Sequence, residues 1–368
     1  MLGDLVKAGT KAMGGASFGL LNVLPGTLVV TVTTVLVKAH AYELDRPVDL
    51  NAALLGRHEA ASVLAFALAA LVGGILLRPF ERLLVQQLEG YWDSPSPLAR
   101  LSGAAIERHR RRRDDAVAQA QRIEWEPLTF SRRTSDLTSL VAHERRMRRQ
   151  KQAEKRYRAI VESYPDDKRL AQHDGELPRT ELMPTRLGNI LRRSERMAGG
   201  RYGLDAMVVY PRIYPYVSER LAEAMARQLE LLTLSASLSV CFGLLSTITL
   251  PLLGRLDIWS LTPLAAAGLC LLAYRGALIS AAYTGVVFCT IFDAHRFDLT
   301  TAMHYKLPKT AAEEFNFNNR LTRYLGARDA HPLYEDRLMG AEPFSHPDVA
   351  PPTSQPPVAP PGGGDGSS

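Results

Sequence analysis

The chain has 368 residues, 46% hydrophobic and 22% charged, with a formal net charge of +6. Its three cysteines, Cys241, Cys270 and Cys289, have no CxxC spacing, which argues against a disulfide framework or a zinc motif. No nucleophile–base set, Gly-rich phosphate loop or metal-ligand spacing stands out, so the composition gives no basis for an enzyme and implies no cofactor.

Four apolar stretches organise the chain: Ala16–Val37, Ala60–Leu77, Leu229–Leu253 and Pro263–Phe292. Each is about 18 residues or longer, enough to cross a ~30 Å hydrocarbon core as a helix. Lipid leaves the backbone no outside partner, so spanning segments of this kind are helices. The expected fold is all-α and integral to a membrane, with four transmembrane helices in two pairs and a helical domain inserted between them. From Arg78 to Arg227 there are 30 basic and 21 acidic residues, and the positive-inside rule puts this segment in the cytoplasm. Both termini then lie inside, and the location is a plasma membrane crossed several times.

The expected organisation is a cytoplasmic N-terminus (1–15), the first helix pair (16–77) with an external loop near 38–59, and a basic helical domain (78–228). The second pair (229–292), a cytoplasmic segment (293–342) and a Pro/Gly/Ser-rich disordered tail (343–368) follow. Lys7 and Lys11 before an apolar run, with Ala39-His40-Ala41 after it, imitate a signal peptide. The run is long for that role, and an uncleaved anchor is the expectation. In the first span, Asn22, Pro25 and Gly26 predict a local kink with packing. In the second, Ala65, Ala69 and Gly73 repeat every four residues, a spacing that lets helices approach closely.

The second stretch continues as an amphipathic helix through Tyr91 and Trp92, which Ser94-Pro95-Ser96-Pro97 is expected to end. Two helical arms follow, about 98–124 and 134–163. They carry the runs Arg108–Arg113 and Arg145–Lys151. Arg110, Arg111, Arg112, Arg113, Arg145, Arg146, Arg148 and Arg149 are candidate contacts for anionic lipids of the inner leaflet, each worth about 1 kcal/mol near such a surface. The alternatives are a plainly solvated face or an acidic protein partner; nucleic acid is not expected. Pro184-Thr185 opens a short helix to about Met197, Ser218 is placed to cap a stalk helix that merges with the third span, and a further short helix is expected over 311–325.

Arg275 lies about 18 Å along the fourth span from Pro263, near the bilayer centre. A charge there costs at least ~2.5 kcal/mol, so it is expected to face the bundle interior or water. The functional reading is an anion-attracting point, with Ser235, Ser239 and Ser246 of the third span lining a path. The structural readings are an Arg bonded to third-span hydroxyls and carbonyls, or a helix sitting in another register. Asp293, His295 and Asp298 form a weak metal pattern, and an interfacial cap with Arg296 at lipid phosphates is the preferred reading.

Leu88-Glu89-Gly90-Tyr91-Trp92, Pro184-Thr185-Arg186-Leu187-Gly188-Asn189, Arg201-Tyr202-Gly203-Leu204-Asp205 and His295-Arg296-Phe297-Asp298-Leu299 resemble a family of multi-pass membrane proteins from high-GC actinobacteria, which are generally described as hypothetical. The resemblance covers roughly Leu83–Leu307, with Tyr210-Pro211-Arg212 where Trp-Pro-Arg is expected. It implies a membrane location, and that Tyr91, Trp92, Arg186, Asn189, Tyr202, Asp205, His295 and Asp298 belong to one juxtamembrane unit. It implies no activity. The reading that follows is a non-enzymatic membrane scaffold or sensor bound to lipid or to an unknown protein. The alternative is an oligomeric anion channel or transporter near Arg275, since the order of spans matches bestrophin-type channels at the level of topology alone.

Overall fold

The computed structural model describes residues 24–43, 45–50, 53, 60–92, 99–125, 137–165, 182–326 and 339. The expected signal-like N-terminus and the Pro-rich tail lie outside these residues. The described chain is all-helical. In order come α1 (Leu24–Lys38), α2 (Ala60–Leu77), α3 (Glu81–Glu89), α4 (Ala99–Trp125), α5 (Leu137–Val161), α6 (Arg186–Gly199), α7 (Ala206–Ile213), α8 (Glu219–Ile248), α9 (Thr262–Ala302) and α10 (Ala311–Gly326).

Among the described residues two helices, α8 and α9, are long and apolar enough to cross a membrane. This corrects the expectation of four. The described part of the first pair is shorter: α1 has 15 residues, and in α2 the described apolar stretch is Ala67–Leu76. The fourth stretch is also longer than expected. α9 has 41 residues, about 60 Å of continuous helix and twice the thickness of a bilayer core.

α8 and α9 are antiparallel and form the most extensive helix pair. Four contacts fix their register. Ser246 Oγ donates to the Pro263 carbonyl at 3.0 Å and Ser239 Oγ to the Cys270 carbonyl at 3.2 Å. Further down, Gly276 lies against Ser235, and Ser280 Oγ donates to the Gln228 carbonyl at 3.2 Å. α1 packs on α8 and on α2. Glycine is required in that hairpin, because a Cβ on Gly26 would come within 2.7 Å of the Gly73 carbonyl oxygen. The buried side of α2 passes through Ala70 and Gly73, and Ala69 faces out, so the expected spacing of four is only partly the contact face.

At the end where α8 turns into α9, Arg255 joins the two pairs. Its guanidinium donates to the carbonyls of Ala41, Glu43 and Arg46 at 3.1, 2.6 and 2.7 Å, and to Asp257 at 2.9 Å. Beneath it Leu36, Ala41 and Leu252 form a small core with Val48 and Trp259.

The inner half of α9 has a different neighbour. α6 lies along it, from Leu187 beside Ala277, Leu278 and Ala281 to Ser194 against Gly285. Further along, Phe288, Ile291, Phe292 and Leu299 join Val209 and Ile213 of α7, Met225 of α8, and Phe317 and Leu321 of α10 in the main core. The middle of the chain and the segment after residue 293 therefore share one core. α10 ends within one residue of its expected limit. α4 and α5 pack together as a hairpin, tied at its base where His109 Nδ1 and the buried Tyr164 hydroxyl are 2.9 Å apart.

Candidate functional site

The sequence motifs meet at the end of the helix pairs opposite Arg255. α3 stops at Gly90, whose φ of 97° is left-handed backbone that glycine adopts without a Cβ penalty. Its free face receives Pro184. Thr185 caps α6 and ties it to the end of α3: its Oγ1 accepts from the Gly188 N–H at 3.0 Å and donates to the Glu89 carbonyl at 2.7 Å. Asn189 is fully buried. Its amide accepts from the Met183 N–H at 3.0 Å and donates to the carbonyls of Met183 and Thr185 at 2.8 and 2.7 Å. Three of its four hydrogen-bonding positions are thus filled by backbone, which fixes the chain entering α6. Arg186 is exposed at the start of α6. Tyr91 is exposed with its hydroxyl 3.4 Å from Arg192, and Trp92 donates to the Gln87 carbonyl at 2.9 Å.

The other motifs join α7, α9 and α10. Asp205 caps α7 by accepting from the N–H groups of Met207 and Val208 at 2.9 and 3.3 Å, and its own N–H donates to Thr322 at 3.1 Å. The Tyr202 hydroxyl donates to Asp293 at 2.6 Å. His295 Nδ1 lies 2.8 Å from Asp298, and Nε2 accepts from the Ser218 N–H at 3.4 Å. This pair of contacts assigns the proton to Nδ1. Ser218 starts α8 without a side-chain cap, contrary to the expectation.

His295 pairs with Asp298 while Asp293 binds Tyr202 and Arg201, and among the described residues no group of three ligands is arranged for a metal. One further expectation is corrected. Arg296 does not project to lipid phosphates. It pairs with Glu314 of α10 at 2.7 Å and stacks over the rings of Tyr202 and Phe297, 4.3 Å from each centroid. It is a cross-link within the main core's edge.

Arg275 is exposed on the outward side of α9, between Leu271, Leu272 and Ile279, and does not face the bundle interior. Ser239 and Ser246 are occupied by carbonyls of α9, and Ser235 packs on Gly276; the three serines hold two helices together. The arginine runs are exposed, and several bond to neighbours on their own helix: Arg110 and Arg111 with Glu107, and Arg148 with Glu144. Such pairs contribute about 0.3–0.5 kcal/mol each. Arg112, Arg145, Arg146 and Arg149 are exposed too, and Arg113, paired with Asp114, is mostly covered.

Sequence reading missed the carboxylate pair at this junction. Burial, and then the nearby Glu195, push the Glu89 carboxyl up to about 7, against the opposing pull of Arg192. Burial also raises Glu195, which Arg192 binds at 3.2 Å. No spacing rule signals this, because Glu89 and Glu195 are brought together only by the docking of α3 on α6. The sign follows from linkage. Between the ordinary 4.5 and about 7 the folded state holds more protons than the unfolded one, so stability falls as pH rises through that window. Glu89→Gln, neutral at every pH, is expected to raise the melting temperature in detergent by a few degrees at pH 8. At pH 4.5 it should change little. An equal shift at both pH values contradicts the assignment.

No family model, curated protein or solved structure matches the chain. Its geometry alone defines it as a helical protein with two candidate membrane-crossing helices.

Proposed function

We propose that the protein is a non-enzymatic membrane scaffold, in which the α8–α9 pair crosses a plasma membrane and holds a rigid helical domain on the cytoplasmic side. The reading rests on one observation: α9 runs without a break from the outer loops into the main core, so bundle and domain share a helix. The register with α8 supplies the inner edge. Below Arg275, α9 lies beside Glu230, Arg227 and Glu223 of α8 and beside Arg192, Arg193 and Glu195 of α6. So many charges cannot lie in hydrocarbon. Above it, from Ile258 to Tyr274, α9 and the turn that leads into it have no charge for 17 residues, about 26 Å. Arg275 is then an inner-edge residue whose guanidinium reaches headgroup phosphates, rather than a midplane charge. The exposed runs of α4 and α5 suit the same anionic leaflet. The outward stripe Ile279, Tyr283 and Val286 suits a second copy or another protein.

Labelling from the two sides tests the topology. In a chain whose three cysteines are replaced by alanine, Arg46→Cys is expected to react with an impermeant maleimide on intact cells, and Lys309→Cys only after the cells are opened. Both reacting from one side contradicts the reading. The channel alternative has one feature in its favour, the outward Arg275, which puts any path between copies. It requires halide flux in liposomes that changes with Arg275→Ala.

A further inference from the structure

A cleft of about 880 Å³ opens between the α9–α10 connection and the outer face of α10. Four cations line it, Lys306 and Lys309 from the connection and Arg320 and Arg323 one turn apart on α10. Among the described lining residues the one carboxylate is Glu313, which accepts from the Lys309 N–H at 2.8 Å and is thereby tied to the start of the helix. The described lining thus carries four positive charges against one negative, with Arg320 engaged in an interaction of its own. It is not uniformly polar: Phe315 shows 37% of its surface, and Asn316 and Asn319 add amides. The buried side of α10 fixes this face. Phe317 and Leu321 sit in the main core and Asn318 donates to the Tyr202 carbonyl at 2.9 Å, which turns Asn316, Asn319, Arg320 and Arg323 outward.

Position separates this basic patch from the others. α10 folds back against α9 at the level of Arg296, which pairs with Glu314 and lies 21 residues past Arg275 on one helix, about 30 Å from the inner edge of the bundle. On the membrane placement proposed above, that is three to four Debye lengths at physiological salt, beyond the reach of the leaflet's charge. The anion that suits the cleft therefore comes from solution.

We propose that the cleft binds a nucleotide. Lysine and arginine donors take the phosphates through charge-assisted hydrogen bonds. The Phe315 ring offers an apolar face on which a base stacks, and the asparagine amides offer both a donor and an acceptor to a base edge. The volume is in the range of small-molecule sites.

The test is titration calorimetry on the full-length protein in detergent, with ADP and GDP beside their two halves, pyrophosphate and adenosine. At least one diphosphate is expected to bind, with each half about tenfold weaker or more, since each supplies only part of the contact. Arg320→Gln with Arg323→Gln is expected to weaken nucleotide binding about tenfold by removing two charge-assisted donors. Phe315→Ala should weaken the nucleotide and leave pyrophosphate unchanged. All three side chains point outward, and an unchanged melting temperature confirms that the variants fold. No binding of either nucleotide at about 1 mM, a very weak affinity for such a site, overturns the proposal. So does pyrophosphate binding as tightly as the nucleotides, or an affinity untouched by the arginine pair. None of these outcomes depends on the membrane topology, which the two-sided labelling reads independently.

Discussion

Arg255→Ala is expected to lower the melting temperature in detergent by roughly 5–10 °C, at 2–4 °C per kcal/mol for a domain of this size. The side chain is 5% exposed and is the only described link that binds three backbone carbonyls of the 38–59 loop at once. Removing it strips the carbonyls of Ala41, Glu43 and Arg46 of a charged donor, and each such loss costs about 1–3 kcal/mol where water cannot replace it. Arg255→Lys should recover little, because a single ammonium cannot reproduce the planar fork that reaches all three oxygens and Asp257 together. The loss should leave the inner core intact, so the two halves are expected to melt separately in the variant. A melting temperature within 1 °C of the parent would show that the outer loops are held by something else.

The second large effect is expected at the inner junction. A Cβ on Gly188 would collide with the Glu89 carbonyl oxygen and sit 2.8 Å from the Met183 Cβ. Neither contact is the loose end of a flexible chain, so Gly188→Ala has to part α6 from α3 and disturb the Asn189 hydrogen bonds one residue on. We expect a loss of about 3 kcal/mol or more, in the range for overpacking joined to broken buried hydrogen bonds. Gly200→Ala is the matched control. A Cβ at Gly200 would meet no atom within 4 Å, and its φ is −61°, so alanine fits there. That variant is expected to be neutral or slightly stabilised through the unfolded state. Equal small gains from both substitutions would mean that helix propensity, rather than the α3–α6 contact, governs this region.

How much of this was readable in the sequence varies with the physics involved. Local signals performed well. Pro184-Thr185 marks the start of α6 and the pattern from Ala311 marks α10, because caps and amphipathic periods act within a few residues; the stop of α3 at Gly90, ahead of the expected Ser94-Pro95-Ser96-Pro97, and the Asp205 cap of α7 were not read. On the placement proposed above, hydropathy overextends the fourth span for a definite reason. From Gly276 to Phe292 the residues are as apolar as a span, yet Ala277, Ala281, Gly285, Phe288 and Phe292 are buried against α6, α7 and α10. A lipid tail and a protein core ask for the same side chains, so apolarity alone sets no membrane edge. The same ambiguity placed Arg275 at mid-depth. Its actual surroundings depend on the register with α8, and that register is set by serine–carbonyl bonds over 17 to 52 residues of separation. Arg255 gave no signal either, since its partners are backbone carbonyls more than 200 residues earlier.

The central claim is that α9 changes at Arg275 from a membrane helix to the spine of a soluble domain. Spin labels placed singly on its outward face at Leu264, Leu271, Leu272, Ile279, Tyr283 and Val286, in the protein reconstituted into liposomes, test it directly. All six positions are exposed, so labelling should not disturb the packing. Leu264, Leu271 and Leu272 are expected to be relaxed by dissolved oxygen and shielded from a water-soluble nickel chelate. Ile279, Tyr283 and Val286 are expected to show the reverse, or to be shielded from both where a partner covers them. Oxygen-dominated relaxation continuing through Val286, with its maximum near Arg275, would contradict the account and return that arginine to the middle of the bilayer.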